Sequence, residues 1–458
     1  MTSPASSPPE EDGHPRRQAR SLARHSLSWD RIRQIGFSIA DQGFSVGGMF
    51  VVNIALARTQ TKEEYGVFAL TYSTFTFLAG LHNAAILEAY TIHGSGRYQA
   101  HFPAYARLLW RKNAGFAVGL TAVLLLLWRA LAWTVPAFRS RTILGMALMC
   151  GVLLTASFAR RTFYIRRRPD LAARFSSAFL AVCLALLWVS IHTGILSGFA
   201  AFLIVGISWS AAALFLAKEL REGPASQNFA EIEPGYWAQH WKYSRWVFVT
   251  ALVFQLTTQG YYWLAAGFLS VKEVGDLRAL YNVVTPIDQL FVAMVLLVLP
   301  MMSLRYSSRR MVGLVPLWRS YCAGCLAITC GFAAFVNVFG KRIMHLLYAG
   351  RFDDIAPLAG ILALLPVVMG IGNTINAALK AMERPQAVFY AYLASGATTF
   401  LIGLPLVVHF GLRGTVYGML ASAGVYAAAL GTGFVICSSQ AEARLVDFSV
   451  AAKQDRLA

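Results

Sequence analysis

Thr61-Lys62-Glu63-Glu64-Tyr65-Gly66-Val67 is the stretch on which the reading turns, because it returns as Ser270-Val271-Lys272-Glu273-Val274-Gly275-Asp276. A second junction, Arg166-Arg167-Arg168-Pro169-Asp170, returns as Met382-Glu383-Arg384-Pro385-Gln386. Both pairs lie about 210 residues apart, so the chain reads as two related halves. The junctions separate apolar runs of roughly 18 or more residues, enough to cross ~30 Å of hydrocarbon, and such runs recur throughout. A duplicated, many-span layout belongs to proteins whose halves rock against each other around a central site.

Composition agrees. Of 458 residues, 57% are hydrophobic and only 14% charged, where a soluble chain carries roughly a quarter charged. The class is all-α integral membrane, because barrel strands would alternate polar and apolar at every second residue. About twelve transmembrane helices are expected. They fall into an N-terminal bundle at 34–217 and a C-terminal bundle at 243–438, joined by a cytoplasmic loop at 218–242. Polar tails at 1–33 and 439–458 complete the chain, the first rich in Pro, Ser and Arg and expected to be disordered. With the amino terminus inside, the cytoplasmic segments hold about 29 of the 40 Lys and Arg residues, which places both termini in the cytoplasm.

That same rule accounts for the net charge of +18 without nucleic acid. All six cysteines fall in apolar runs, and Cys322-Ala-Gly-Cys325 lacks the second pair or nearby His that a metal site needs. No cofactor motif or metal-ligand set is read. No outer loop exceeds about 18 residues, so chemistry belongs inside the bundle. Gly43 and Gly47, Gly115 and Gly119, and Gly414 and Gly418 have the spacing of close helix packing. Pro286 and Pro366 lie within spans, where each removes a backbone hydrogen bond.

An ionised side chain at bilayer depth costs on the order of 2.5–3.5 kcal/mol and needs a reason. Asp41, Glu88 and Asp288 are candidates for holding a coupling cation, the competing reading being a basic partner or an interfacial water pocket. Na⁺ and H⁺ are the candidate ions. Arg58, Arg278 and Arg245 are candidates for substrate binding, since the planar guanidinium suits phosphate oxygens. Snorkelling to the headgroups is the alternative, and it is the preferred reading for Arg129 between Trp128 and Trp133. Asn53 and Asn282 add uncharged hydrogen-bonding groups that lipid would not satisfy, and His82 is a minor candidate for a proton relay.

With these residues in view, the chain resembles the polysaccharide transport family of lipid-linked oligosaccharide flippases, in the superfamily that also contains the MATE exporters. The resemblance rests on Asp41-Gln42-Gly43-Phe44-Ser45, on 53–58, on Lys62 to Leu70, and on the second-half counterpart of that junction at 271–280. It implies two pseudo-symmetric six-helix bundles around a central cavity. The implied activity is alternating-access transfer of an undecaprenyl-diphosphate-linked oligosaccharide across the bacterial inner membrane, for exopolysaccharide or O-antigen synthesis. The implied partners are that lipid-linked oligosaccharide, membrane lipids and other polysaccharide-assembly proteins.

Three other readings compete. A MATE-type cation-coupled multidrug exporter shares the fold but calls for an acidic or aromatic cavity. A major facilitator would carry an acidic and basic loop after its second helix, and His93 to Lys112 contains no acidic residue. A membrane glycosyltransferase or polymerase would use Glu63 and Glu64, but the repeat puts Lys272-Glu273 there, which favours a helix start. The chain is therefore expected not to be an enzyme.

Overall fold

The computed structural model describes residues 29–134, 140–221 and 235–454. They form a helical bundle with no strand among the described residues. The N-terminal half holds α1 (Trp29–Thr59), α2 (Lys62–His82, running on through 83–95), α3 (Phe102–Thr134), α4 (Arg141–Ile165), α5 (Pro169–His192) and α6 (Gly198–Phe215). In the other half, α7 is Tyr236–Phe268, and one long helical stretch divides at Arg310 into α8 (271–309) and α9 (311–348). α10 is Leu365–Ala381, and a last stretch divides at Gly411 into α11 (385–410) and α12 (412–454). Eight stretches are long and apolar enough to cross a membrane among the described residues, one of them spanning both α11 and α12.

The duplication is visible in the backbone. Thr61 Oγ1 accepts from the Glu64 amide at 3.1 Å, and Ser270 Oγ accepts from the Glu273 amide at 3.3 Å. Each hydroxyl satisfies a donor that the first helical turn leaves without an intrahelical partner. At the second junction, Arg167 and Glu383 both adopt φ 58°, and each is followed by a residue near φ −115° and a proline in the first turn of the next helix. Packing repeats as well: α1 lies on α5 as α7 lies on α11, and α4 lies on α6 as α10 lies on α12. Junction chemistry thus fixes where each helix starts, and the same starts give the same bundle twice.

Helix bounds differ from the sequence expectation at three places. α1 begins at Trp29, inside the expected tail, while residues 1–28 lie outside the described residues. α7 begins at Tyr236, shortening the expected connecting loop, of which 222–234 also lie outside them. α12 continues to Gln454 through most of the expected C-terminal tail. The glycine spacing also misleads. Positions a Cβ would occupy at Gly43, Gly47, Gly115 and Gly119 meet nothing within 4 Å, whereas one at Gly418 would lie 2.8 Å from the Tyr261 ring and 3.1 Å from Gly403 Cα. Pro366 sits in the first turn of α10, where no hydrogen bond is lost, while Pro286 does lie inside α8.

Candidate functional site

The two repeated junctions meet each other. A Cβ on Gly275 would stand 2.8 Å from the Lys62 carbonyl oxygen and 3.1 Å from the Gly66 amide, and a Cβ on Gly66 would overlap the Val271 carbonyl. Only glycine lets the helix starts of α2 and α8 cross this closely. Charges then tie the halves together at this end. Lys62 Nζ reaches Asp354 at 2.9 Å and Asp276 at 3.2 Å, over the Phe352 ring. Arg58 Nε donates to the Leu347 carbonyl at 2.7 Å, its second nitrogen donates to the Leu346 carbonyl, and Arg351 donates back to the Arg58 carbonyl at 2.6 Å. The junction end is therefore closed.

Below this closure lies a polar centre between the halves. Arg278, two turns into α8, donates from Nε to Asn53 Oδ1 at 3.1 Å, and its guanidinium lies 4.8 Å over the Tyr72 ring. Asn53 is fully buried and held in register by its own bond to the Met49 carbonyl at 2.9 Å. Tyr262 of α7 adjoins the guanidinium with a buried hydroxyl that has no well-aligned partner among the described residues. Asn282 donates to Tyr65 at 3.1 Å and Tyr348 at 3.3 Å, and Tyr281 donates to Asp288 at 3.1 Å. Tyr72 and Tyr281 each stand six residues after the paired glycines, so they are repeat-mates. One partly buried cation is thus surrounded by amides and phenols contributed by five helices.

Of the eight sequence candidates, Arg278, Asn53, Asn282 and Asp288 gather here. The other four do not. Arg58 sits at the rim as an inter-half tie rather than in the centre. Arg245 is exposed, 5.7 Å from the exposed Trp246 ring, which is the snorkelling geometry, and Arg129 lies likewise 5.1 Å over exposed Trp133. Glu88 follows the π-helical turn Asn83–Leu87 of α2 and accepts from Tyr243 of α7 at 3.2 Å, far from the junctions. His82 packs α2 on α3 through Asn113 at 2.7 Å.

Asp41 does not fit the expected coupling role in this geometry. Its carboxylate is fully buried and accepts from Arg160 at 2.6 and 2.9 Å, from Tyr164 at 2.5 Å and from Ser176 at 2.5 Å. One oxygen already has two donors and the other three, so Arg160 stands where a bound cation would. Removing one partner of a buried pair leaves the other charge uncompensated. Arg160→Met is therefore expected to lower stability by about 3–5 kcal/mol, with partial recovery when Asp41→Asn is added. Thermal unfolding of the purified variants checks this; equal loss in the single and double variants would contradict it.

Residues the sequence did not single out are Lys62, Asp276 and Asp354 of the closure, Arg160, and the repeat-mates Tyr72 and Tyr281. The tyrosine pair had a signal, since both follow the repeated glycine at the same spacing.

No protein-family profile matches the chain, and no curated protein sequence does. Solved structures do. The chain superposes on an inward-facing multidrug resistance MATE family transporter of the MOP superfamily with TM-score 0.66 and 15% identity, covering 90% of this chain and 95% of that one. The fold is that of the MATE transporters of the MOP superfamily. An outward-facing MATE family transporter gives the same TM-score of 0.66 at 13% identity, over 90% and 96% of the two chains. A MOP superfamily transporter from Pyrococcus furiosus, described as having a binding pocket of reverse polarity that suggests a different function, gives 0.68 at 12% identity over 89% and 95%. At such identities the likeness carries the fold alone. Because the inward- and outward-facing relatives fit equally well, the state of this chain is read from its own closed junction end.

Proposed function

We propose that this MATE-fold chain is an alternating-access transporter for an anionic lipid-linked oligosaccharide, of the undecaprenyl-diphosphate type, that serves exopolysaccharide or O-antigen assembly. In this reading the protein lies in the bacterial inner membrane with both termini cytoplasmic, the junction end faces outward, and the described state opens toward the cytoplasm. The observation that carries it is Arg278, held by Asn53 and Tyr72 at the meeting of the halves. A diphosphate crossing ~30 Å of hydrocarbon needs a cation and hydrogen-bond donors in place of water, and Arg offers both in a planar fork. Phenol rings beside it give sugar rings apolar faces to lie on. A cationic drug would instead be repelled by that guanidinium.

Removing the protein from the cell tests the reading. Carrier-linked oligosaccharide should accumulate in the cytoplasmic leaflet and surface polymer should fall. Unchanged polymer together with new sensitivity to cationic dyes would favour the multidrug exporter instead.

Asp288 is the remaining carboxylate at the centre, bonded to Tyr281 and unpaired with any base among the described residues. It is the proposed site for a coupling cation, Na⁺ or H⁺. Asp288→Asn is expected to remove the response of transport to Na⁺ or pH gradients. Glu88→Gln, which lies at the far end of the α2–α7 seam, should leave that response intact. Transport by Asp288→Asn that tracks the gradients like the parent would sink the assignment.

A further inference from the structure

Away from the interface, the N-terminal half carries a cavity of about 1180 Å³ between α3, α4 and α6. Its floor is the trough along α4 lined by Thr155 and Ala159 at helical spacing, and it narrows at Gly151, where a Cβ would stand 2.8 Å from the Ala117 carbonyl oxygen of α3. Its long wall is α3. Lining residues on that helix run from Pro103 to Leu125, a length of roughly 30 Å. α3 is also sparsely covered, with only 6% of its most apolar window buried, so the trough lies against a helix that faces lipid.

The lining is apolar along nearly this whole length, and its two charges, Arg107 and Arg166, both lie at the end opposite the closure by Lys62, Gly66 and Gly275. Arg166 is held there by its bond to the Glu219 carbonyl at 2.7 Å. Trp110, one turn further along α3, is 39% exposed beside them, as interfacial tryptophans are. A soluble anion has no use for a long apolar wall, and a neutral hydrocarbon has none for two guanidiniums. An amphiphile with a phosphate head and long chains uses both.

We propose that this groove binds an anionic glycerophospholipid of the surrounding bilayer, with its phosphate at Arg107 and Arg166 and its acyl chains between α3 and α6. The proposal is independent of the transported cargo. The bound lipid completes the packing of α3 on the N-terminal half, and it makes that half responsive to the anionic content of the leaflet.

Native mass spectrometry of the full chain, purified in detergent, tests this with phosphatidylglycerol and phosphatidylcholine of matched acyl chains. The parent should retain phosphatidylglycerol in preference. Arg107→Gln and Arg166→Gln should each lower that retention about fivefold, the contribution of one basic residue near an anionic lipid surface. Thr155→Trp fills the trough while leaving both charges, and it should also release the lipid; Arg166→Lys keeps the charge and should retain it. Equal retention of the two lipids by the parent would overturn the proposal, as would undiminished phosphatidylglycerol on Thr155→Trp and the glutamine variants. Displacement of phosphatidylglycerol by a stoichiometric polyprenyl phosphate would overturn it too, by making the groove a site for the cargo's own chain.

Discussion

Arg278→Gln is expected to lower transport of an anionic lipid-linked sugar roughly a hundredfold, while the protein stays folded and in the membrane. One guanidinium bonded to a diphosphate contributes about 3 kcal/mol through charge-assisted hydrogen bonds, and 1.36 kcal/mol is tenfold in rate. Folding should survive, because Arg278 has no carboxylate partner among the described residues to be left uncompensated and Gln still reaches toward Asn53. Arg278→Lys is the informative companion. It keeps the charge but loses the planar fork and the stack on Tyr72, so its activity should fall between the parent and the glutamine variant. Surface polymer and carrier-linked intermediate, measured at matched protein levels, check both. Full polymer from Arg278→Gln would remove this residue from the path of the cargo.

Gly66→Val should hold the junction end open. The added side chain collides with the Val271 backbone where the repeated helix starts cross, and backbone there cannot step aside without moving a half. Overpacking of this kind costs about 1–3 kcal/mol. Because the collision exists only in the closed state, the ratio of states should shift by roughly 5- to 150-fold toward open. The interior of α2 tolerates valine, so the effect falls on the conformational balance rather than on folding. A thiol introduced at Tyr72 in a cysteine-free background reports the change. A membrane-impermeant reagent added outside should label it faster on the Gly66→Val background than on the parent. Equal labelling would mean that the contact between Gly66 and Val271 does not close the path. Arg58→Ala, which removes the rim tie to α9, should shift labelling in the same direction by less.

Much of this architecture was legible because it rests on local chemistry written twice. Thr61 and Ser270 cap the same helix start, and Arg167 and Glu383 make the same left-handed turn, so the halves and their junctions follow from the chain. What the sequence left open is rotation about each helix axis. Arg58 and Arg278 both flank a junction, yet one points to the rim and the other to the centre, a difference set by neighbours rather than by spacing. Asp41 was recognised as costly, but its partner Arg160 lies more than a hundred residues away and only tertiary packing brings the two together. Gly43 and Gly47 have the spacing of a close crossing without facing a helix. The closure by Lys62, Asp276 and Asp354 was hidden for the same reason, since its three charges come from separate segments of the chain.

The most direct measurement places purified protein in liposomes carrying a diphosphate-linked oligosaccharide lipid in the inner leaflet, and follows its arrival outside with an added glycosidase. The parent should expose the sugar to the enzyme, and Arg278→Gln should leave it protected. If the parent leaves the sugar where it was placed but carries a cationic dye across the same membrane, the central cation does not select the cargo and this account is wrong.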